Sequence, residues 1–267
     1  GKSEKISSEL SETFMLEWLP EYSDEIKIST EASDSENVVT LVIKTTLDPE
    51  NLVIRSSDGQ LDGLEVVSAP TKYGAGEYHI DFTKSKKGFP HFSLFTAVDR
   101  RAPEQTKSAF VLNNPGKVPF PVTALPDSDL SIEIGSKKFG PVRSDANGKA
   151  RIPIEVPAGV QQAKLLVKNG DLETVETLDL QIPNSQDLMF FPAPEGIPAD
   201  PAQAYSFYLY HIDSTGKPKT GGIIDVGSSV GTVSPAQHIG EGIFEVKYTP
   251  TLVSTKSKIS ISATGEQ

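Results

Sequence analysis

Short runs of alternating apolar and polar residues, separated by clusters of Gly, Pro, Asn, Asp and Ser, fill most of this chain. In "GEYHIDFT" the residues Tyr78, Ile80 and Phe82 fall on one side of an extended backbone, with Glu77, His79 and Asp81 on the other. "IFEVKYTP" follows the same plan, with Phe244, Val246 and Tyr248 inward and Glu245 and Lys247 outward. "KARIPIEV" alternates through Ala150, Ile152, Ile154 and Val156, just after the turn signal Asn147-Gly148, which predicts a hairpin. Period two over four to eight residues predicts half-buried strands, and the chain reads as all-β.

Sliding the chain against itself by 166 residues exposes a repeat. "VSAPTKYGAGEYHIDFT" (67–83) falls on "VSPAQHIGEGIFEVKYT" (233–249) without a gap, and Val67, Ser68, Gly74, Gly76 and Thr83 meet identical residues. The register continues upstream, where "VVTLVIKTTLD" meets "AYSFYLYHIDS", and downstream, where "SLFTA" meets "ISISA". The matched span has the size of a small sandwich, so a whole domain is duplicated. The paired glycines of each copy predict a turn or bulge ahead of a core strand.

The phrase "GEGIFEVKYTP…KISISA" resembles a strand pair of bacterial Ig-like repeats of the invasin and intimin kind, and of filamin repeats. The first copy departs from that pattern with Lys84 in place of proline. The resemblance implies immunoglobulin-like sandwiches and, since these families form rods and stalks, a spacer or adhesive role.

Residues from about 108 to 183 do not match the repeated unit but still read as β, through "AFVLN", "LSIEIG", "KARIPIEV", "AKLLVKN" and "ETLDLQIP". They predict a second, different sandwich, Ig-like or prealbumin-like. The expected organisation is therefore an N-terminal strand or remnant of a preceding domain (1–20), an Ig-like domain (21–102), an Ig-like or prealbumin-like domain (103–183) and a third, Ig-like domain homologous to the first (184–267). Short proline-containing linkers predict an elongated rod whose exposed sheet edges accept a partner strand. "TFMLEWLPEYSDEI" (13–26) admits three readings: the last strand of a preceding domain, a strand completing a domain present here, or a short helix capped by Ser.

A formal charge of −11 disfavours nucleic acid and anionic lipid, both of which need clustered Lys and Arg. With no cysteine there are no disulfides and no thiolate metal sites. The longest apolar runs have strand length, so no direct membrane insertion is expected in this segment. His79, His91, His211 and His238 lack metal-pair spacing, and no G-x-S-x-G elbow occurs. Among the acidic clusters, "PDSDLSIE" is the candidate for hard-cation binding, with Asp127, Asp129 and Glu133 offered to Ca2+; no other cofactor is expected. "AYSFYLYHI" places Tyr205, Phe207 and Leu209 inward, which leaves Tyr208 and Tyr210 as an outward aromatic pair, a candidate ligand patch. The expected function is non-enzymatic: an extracytoplasmic stalk or adhesion region of a bacterial surface or secreted protein. Its partners are a surface protein or glycan and the neighbouring domains of a longer chain. The alternative is a carbohydrate-binding or accessory module of an extracellular enzyme.

Overall fold

Seven antiparallel strands build the first sandwich: β1 (Lys27–Ala32), β2 (Val38–Thr45), β3 (Leu52–Ser56), β4 (Gln60–Ser68), β5 (Gly76–Thr83), β6 (His91–Asp99) and β7 (Thr106–Asn114). The computed structural model describes residues 26–264 apart from 34, 36, 73, 86–88, 183–186 and 214. The expectation for residues 1–20 therefore lies outside the described residues. One sheet runs β1-β2-β5-β4 and the other β3-β6-β7. Lettered A to G in chain order, these are the A-B-E-D and C-F-G sheets of an immunoglobulin constant-type sandwich. The alternating residues meet between them: Leu41, Ile43, Tyr78, Ile80, Phe82, Phe95 and Ala97 are all buried, with Phe82 edge-on to Phe95 at 4.8 Å. Burial of each such large side chain contributes about 1.5–3 kcal/mol.

The boundary expected at residue 103 needs correction. "AFVLN" belongs to β7, which pairs with β6 from His91↔Asn114 to Val98↔Thr106 and sends Phe110 and Leu112 into the first core. Alternation identifies a strand but not the sheet that receives it.

The second sandwich has six strands: β8 (Gly116–Thr123), β9 (Asp129–Ile134), β10 (Lys137–Arg143), β11 (Lys149–Val156), β12 (Gln162–Asn169) and β13 (Leu172–Asp179). Their sheets are β11-β8 and β10-β9-β12-β13. In immunoglobulin lettering this is B-E against C′-C-F-G, a different member of the same architecture. Leu130, Ile132, Ile152, Ile154, Val156 and Leu165 fill the space between. Asn147-Gly148 does form a tight turn, with Gly148 at φ 75° and the Asp145 carboxylate accepting from the Asn147 and Lys149 amides at 2.8 Å. The strands it joins, β10 and β11, lie in opposite sheets, so the turn is a corner and not a hairpin.

The third sandwich comprises β14 (Leu188–Phe190), β15 (Tyr205–His211), β16 (Ile223–Ser228), β17 (Thr232–Val233), β18 (Gln237–Gly240), β19 (Ile243–Thr249) and β20 (Ile259–Thr264). Its first sheet is β14-β15-β19-β17, with β18 also on β19; its second is β16-β20. The order is A-B-E-D against C-F, matching the first sandwich strand for strand, with no G strand among the described residues. The glycine phrase has diverged in use. Glu241 (φ 47°) and Gly242 (φ 75°) turn β18 into β19, whereas Gly76 lies inside β5, where an added Cβ would come 2.6 Å from the Pro70 nitrogen.

The three sandwiches are not strung end to end. Phe92 and Leu94 on the outer face of the first domain's C-F-G sheet share an apolar cluster with Tyr210 and Ile212 of the third domain's A-B-E-D sheet. Ala158 of the second domain and Phe191 of the segment after β14 complete that cluster. The first and third domains thus pack on each other, a contact that the expectation of an elongated rod did not include.

Candidate functional site

The junction between the sandwiches gathers most of the chain's unusual side chains. Strand β15 alternates as its sequence predicts, so Tyr205 and Leu209 enter the third core while Tyr208 and Tyr210 face away from it. The outward pair is not open to solvent. Tyr210 is only 4% exposed and lies edge to face with Phe92 at 5.3 Å and 70°. Tyr208 is half-buried and edge-on to Phe191 at 6.5 Å. Burial, with a smaller contribution from Glu241, pushes the Tyr210 hydroxyl up to about 12. Burial and then Glu245 raise that of Tyr208. A flat aromatic patch for a glycan is therefore not what these residues present; the first domain covers Tyr210.

Polar and backbone contacts reinforce the joint. The Thr96 hydroxyl donates to the Pro192 carbonyl at 3.2 Å, linking the first domain to the third. The Ala158 amide donates to Oδ1 of Asn113 at 2.9 Å, linking second to first. Gly159 and Gly216 bring the second and third domains into backbone contact. A Cβ on Gly159 would sit 2.4 Å from the Gly216 Cα, and one on Gly216 would sit 2.5 Å from the Ala158 oxygen. Both glycines also have positive φ, 82° and 77°, so a side chain at either is excluded twice over.

The acidic candidates are dispersed. Asp129 and Glu133 lie on one face of β9 four residues apart, roughly 13 Å along a strand, too far to share one ion. Asp129 stands opposite Arg143 and Lys168, and Glu133 opposite Lys138 and Lys164, so each carboxylate has basic neighbours on both flanking strands. Asp127 sits in the preceding turn at φ 61° and pairs with Arg143 at 3.3 Å. Among the described residues, no group of three or more His, Asp or Glu is arranged to hold a metal.

One polar cluster had no signal in the sequence. Asp58 meets Ser85 and His91, which are distant from it along the chain, where the β3–β4 turn faces the β5–β6 loop. Nε2 of His91 is 3.0 Å from Oδ2 of Asp58 and 3.2 Å from Oγ of Ser85, while Ser85 donates to the same Asp58 oxygen at 2.8 Å. Nδ1 of His91 donates to the Phe89 carbonyl at 3.0 Å. A nucleophilic relay sets hydroxyl and carboxylate on opposite ring nitrogens. Here both share one nitrogen, and the arrangement ties two loops together.

His211, on the core side of β15, is 3% exposed and its Nδ1 has no partner. Burial, followed by the neighbouring Lys219, holds its imidazole below the usual range, against a smaller opposing effect of Asp187.

A cavity of about 570 Å3 opens in the third domain between its two sheets. Phe207, Val230, Tyr248, Val253 and Ile259 line it. Among the described residues no helix is long and apolar enough to cross a membrane.

No protein-family model matches the chain, and no curated protein matches it. Two solved structures of tandem immunoglobulin domains show a distant likeness. One is the N-terminal eight Ig domains of Down Syndrome Cell Adhesion Molecule isoform 1.30.30, at 11% identity and TM-score 0.20 over 91% of this chain. This chain spans 42% of that structure's length. The other is the I9–I11 tandem of titin, at 10% identity and TM-score 0.20, covering 89% of this chain and 94% of that one. The immunoglobulin-like assignment rests on the strand orders and not on these likenesses.

Proposed function

We propose that the chain is a non-enzymatic structural or adhesion module: an extracytoplasmic spacer of a bacterial surface or secreted protein that presents a neighbouring region, or its own surface, to a protein or glycan. The observation that carries this reading is the apolar cluster shared by the first and third sandwiches around Phe92 and Tyr210. Domains joined only by linkers rotate freely, whereas an apolar interface sets their relative angles. The Gly159–Gly216 contact adds a second fixed point. A module built this way holds a shape, which is what a spacer contributes. The resemblance of "GEGIFEVKYTP" to surface-repeat strands supports the extracytoplasmic setting.

The test is to label intact cells of the source organism with an antibody against this segment, alongside small-angle scattering of the purified chain. Surface labelling and a scattering profile matching the packed arrangement are expected. Labelling only after cell lysis would overturn the surface role. A glycan array run on the same protein checks the carbohydrate-binding alternative through saturable binding.

A further inference from the structure

A crevice of about 290 Å3 opens where the first and third sandwiches meet, at the lower edge of the roughly 300–1,000 Å3 usual for small-molecule sites. Phe92 and Val111 of the first domain line one side, and Tyr210 and Ile243 of the third line the other. Among the described residues lining it, only Asn113, Tyr210 and Glu241 have polar side chains, and Glu241 alone is charged. Oδ1 of Asn113 is already taken by the Ala158 amide. Tyr210 is only 4% exposed, yet no described residue hydrogen-bonds to its hydroxyl. A buried hydroxyl ordinarily has a partner. Glu241 acts on this one, since its charge is the second cause, after burial, of the raised Tyr210 pKa.

The duplicated domain shows that this chemistry is particular to the third sandwich. In the first, Lys44 opposes Glu77 across β2 and β5, with Nζ of Lys44 3.0 Å from Oε2 of Glu77. The offset of 166 carries this pair onto Tyr210 and Ile243, which oppose each other across β15 and β19. A surface ion pair has become an apolar wall, as packing against the first domain requires. The same offset carries Ala75 onto Glu241. Packing does not require that change. Glu241 stands at φ 47°, a left-handed position that favours Gly or Asn, and it brings a carboxylate to an otherwise uncharged crevice.

We propose that this crevice binds a small organic ammonium ion, its nitrogen between Glu241 and the Tyr210 hydroxyl and its apolar body against Phe92, Val111 and Ile243. A carboxylate accepts and never donates, and the hydroxyl oxygen also accepts, so the pair suits a cation rich in N–H donors. Glu241 repels anions, and the formal charge of −11 adds to the attraction for cations. Because its two sides come from different domains, an occupant strengthens the joint by mass action. The inference stands whether or not the chain serves as a surface spacer.

The test uses benzylammonium, a protonated amine on one aromatic ring, with benzyl alcohol as its neutral counterpart. Each is titrated into the isotopically labelled whole chain while backbone amide shifts are followed by nuclear magnetic resonance. Benzylammonium should give saturable shifts at Val111, Asn113, Glu241 and Gly242. Benzyl alcohol should bind about tenfold more weakly, the worth of a hydrogen bond to a charged group. Glu241→Gln should bring benzylammonium down to the level of the alcohol. Tyr210→Phe, which keeps the ring, should weaken it severalfold. Glu241 is exposed and belongs to none of the cores, and the unshifted remainder of the spectrum confirms that each variant is folded. Shifts that never saturate in wild type overturn the proposal. Equal binding of the alcohol overturns it too, and so does undiminished binding of benzylammonium by either variant.

Discussion

Tyr210 of the third sandwich meets Phe92 of the first edge to face, with ring centroids 5.3 Å apart and planes at 70°. Neither ring contributes to the core of its own domain; both belong to the cluster between domains. Tyr210→Ala should cost about 3 kcal/mol, as for a buried aromatic truncated in a packed site. Phe92→Ala should behave alike. The two rings should couple by about 0.5–1.5 kcal/mol in a double-mutant cycle, read by urea unfolding. Additive losses would show that the rings do not hold the domains together.

The glycine contact makes a prediction about shape. Gly216→Val should force the Ala158–Gly159 segment away from the third domain, since its Cβ would lie 2.5 Å from the Ala158 oxygen. The three cores do not include this position, so each sandwich should stay folded. Small-angle scattering should report a larger radius of gyration while far-ultraviolet circular dichroism is unchanged. An unaltered radius would mean that the contact does not set the domain arrangement.

Stability should fall at both ends of the pH scale, for different reasons. His211 is held neutral by burial, so its folded value lies below its unfolded one. The unfolded chain then binds the extra proton first, and stability is lost as pH drops below about 6.5. His211→Leu should flatten that limb in melts between pH 7 and pH 5. Tyr210 has the opposite relation: its folded value is raised to about 12, so its contribution is full below about pH 10 and is lost between there and 12. Ultraviolet titration of the folded chain should show the same number of tyrosines ionising near pH 10.5 in wild type and in Tyr210→Phe, because Tyr210 ionises only above that range.

Much of this architecture was legible in the residues, and the failures have physical causes. Period-two alternation located β5 and β19 and assigned their inward faces, because burial of one face dictates that period. The duplication was legible at β2 and β15 but slips at the C strand, where β16 begins five residues later than an offset of 166 from Leu52 places it. Strands β8 and β10 escaped notice because Pro119, Pro121 and the Gly140-Pro141 pair look like breakers. The outward facing of Tyr208 and Tyr210 was correct for their own sandwich. Their cover comes from Phe92 and Phe191 of other segments, and alternation along one strand says nothing about what its far face meets. The Asp58–Ser85–His91 cluster depends on loops brought together by tertiary packing, which no local spacing encodes.

The prolines of β8 carry one more expectation. Strand β8 pairs only with β11 among the described residues, so its other edge is open. Pro119 opposes Pro153, Pro121 opposes Arg151, and Phe120 and Val122 between and beside them point into the second core. Proline has no N–H to donate, so positions 119 and 121 suit an alternation in which the even-numbered residues bond to β11 and the odd-numbered ones face the open edge. Two donors that a foreign strand would need are thereby missing, a direct defence against edge-to-edge aggregation. Replacing both with Thr restores the donors without touching the core, so the unfolding midpoint should move little. On slow heating the Pro119→Thr/Pro121→Thr chain should scatter light earlier and more strongly than wild type. Scattering curves that coincide would show that something other than these prolines guards the edge.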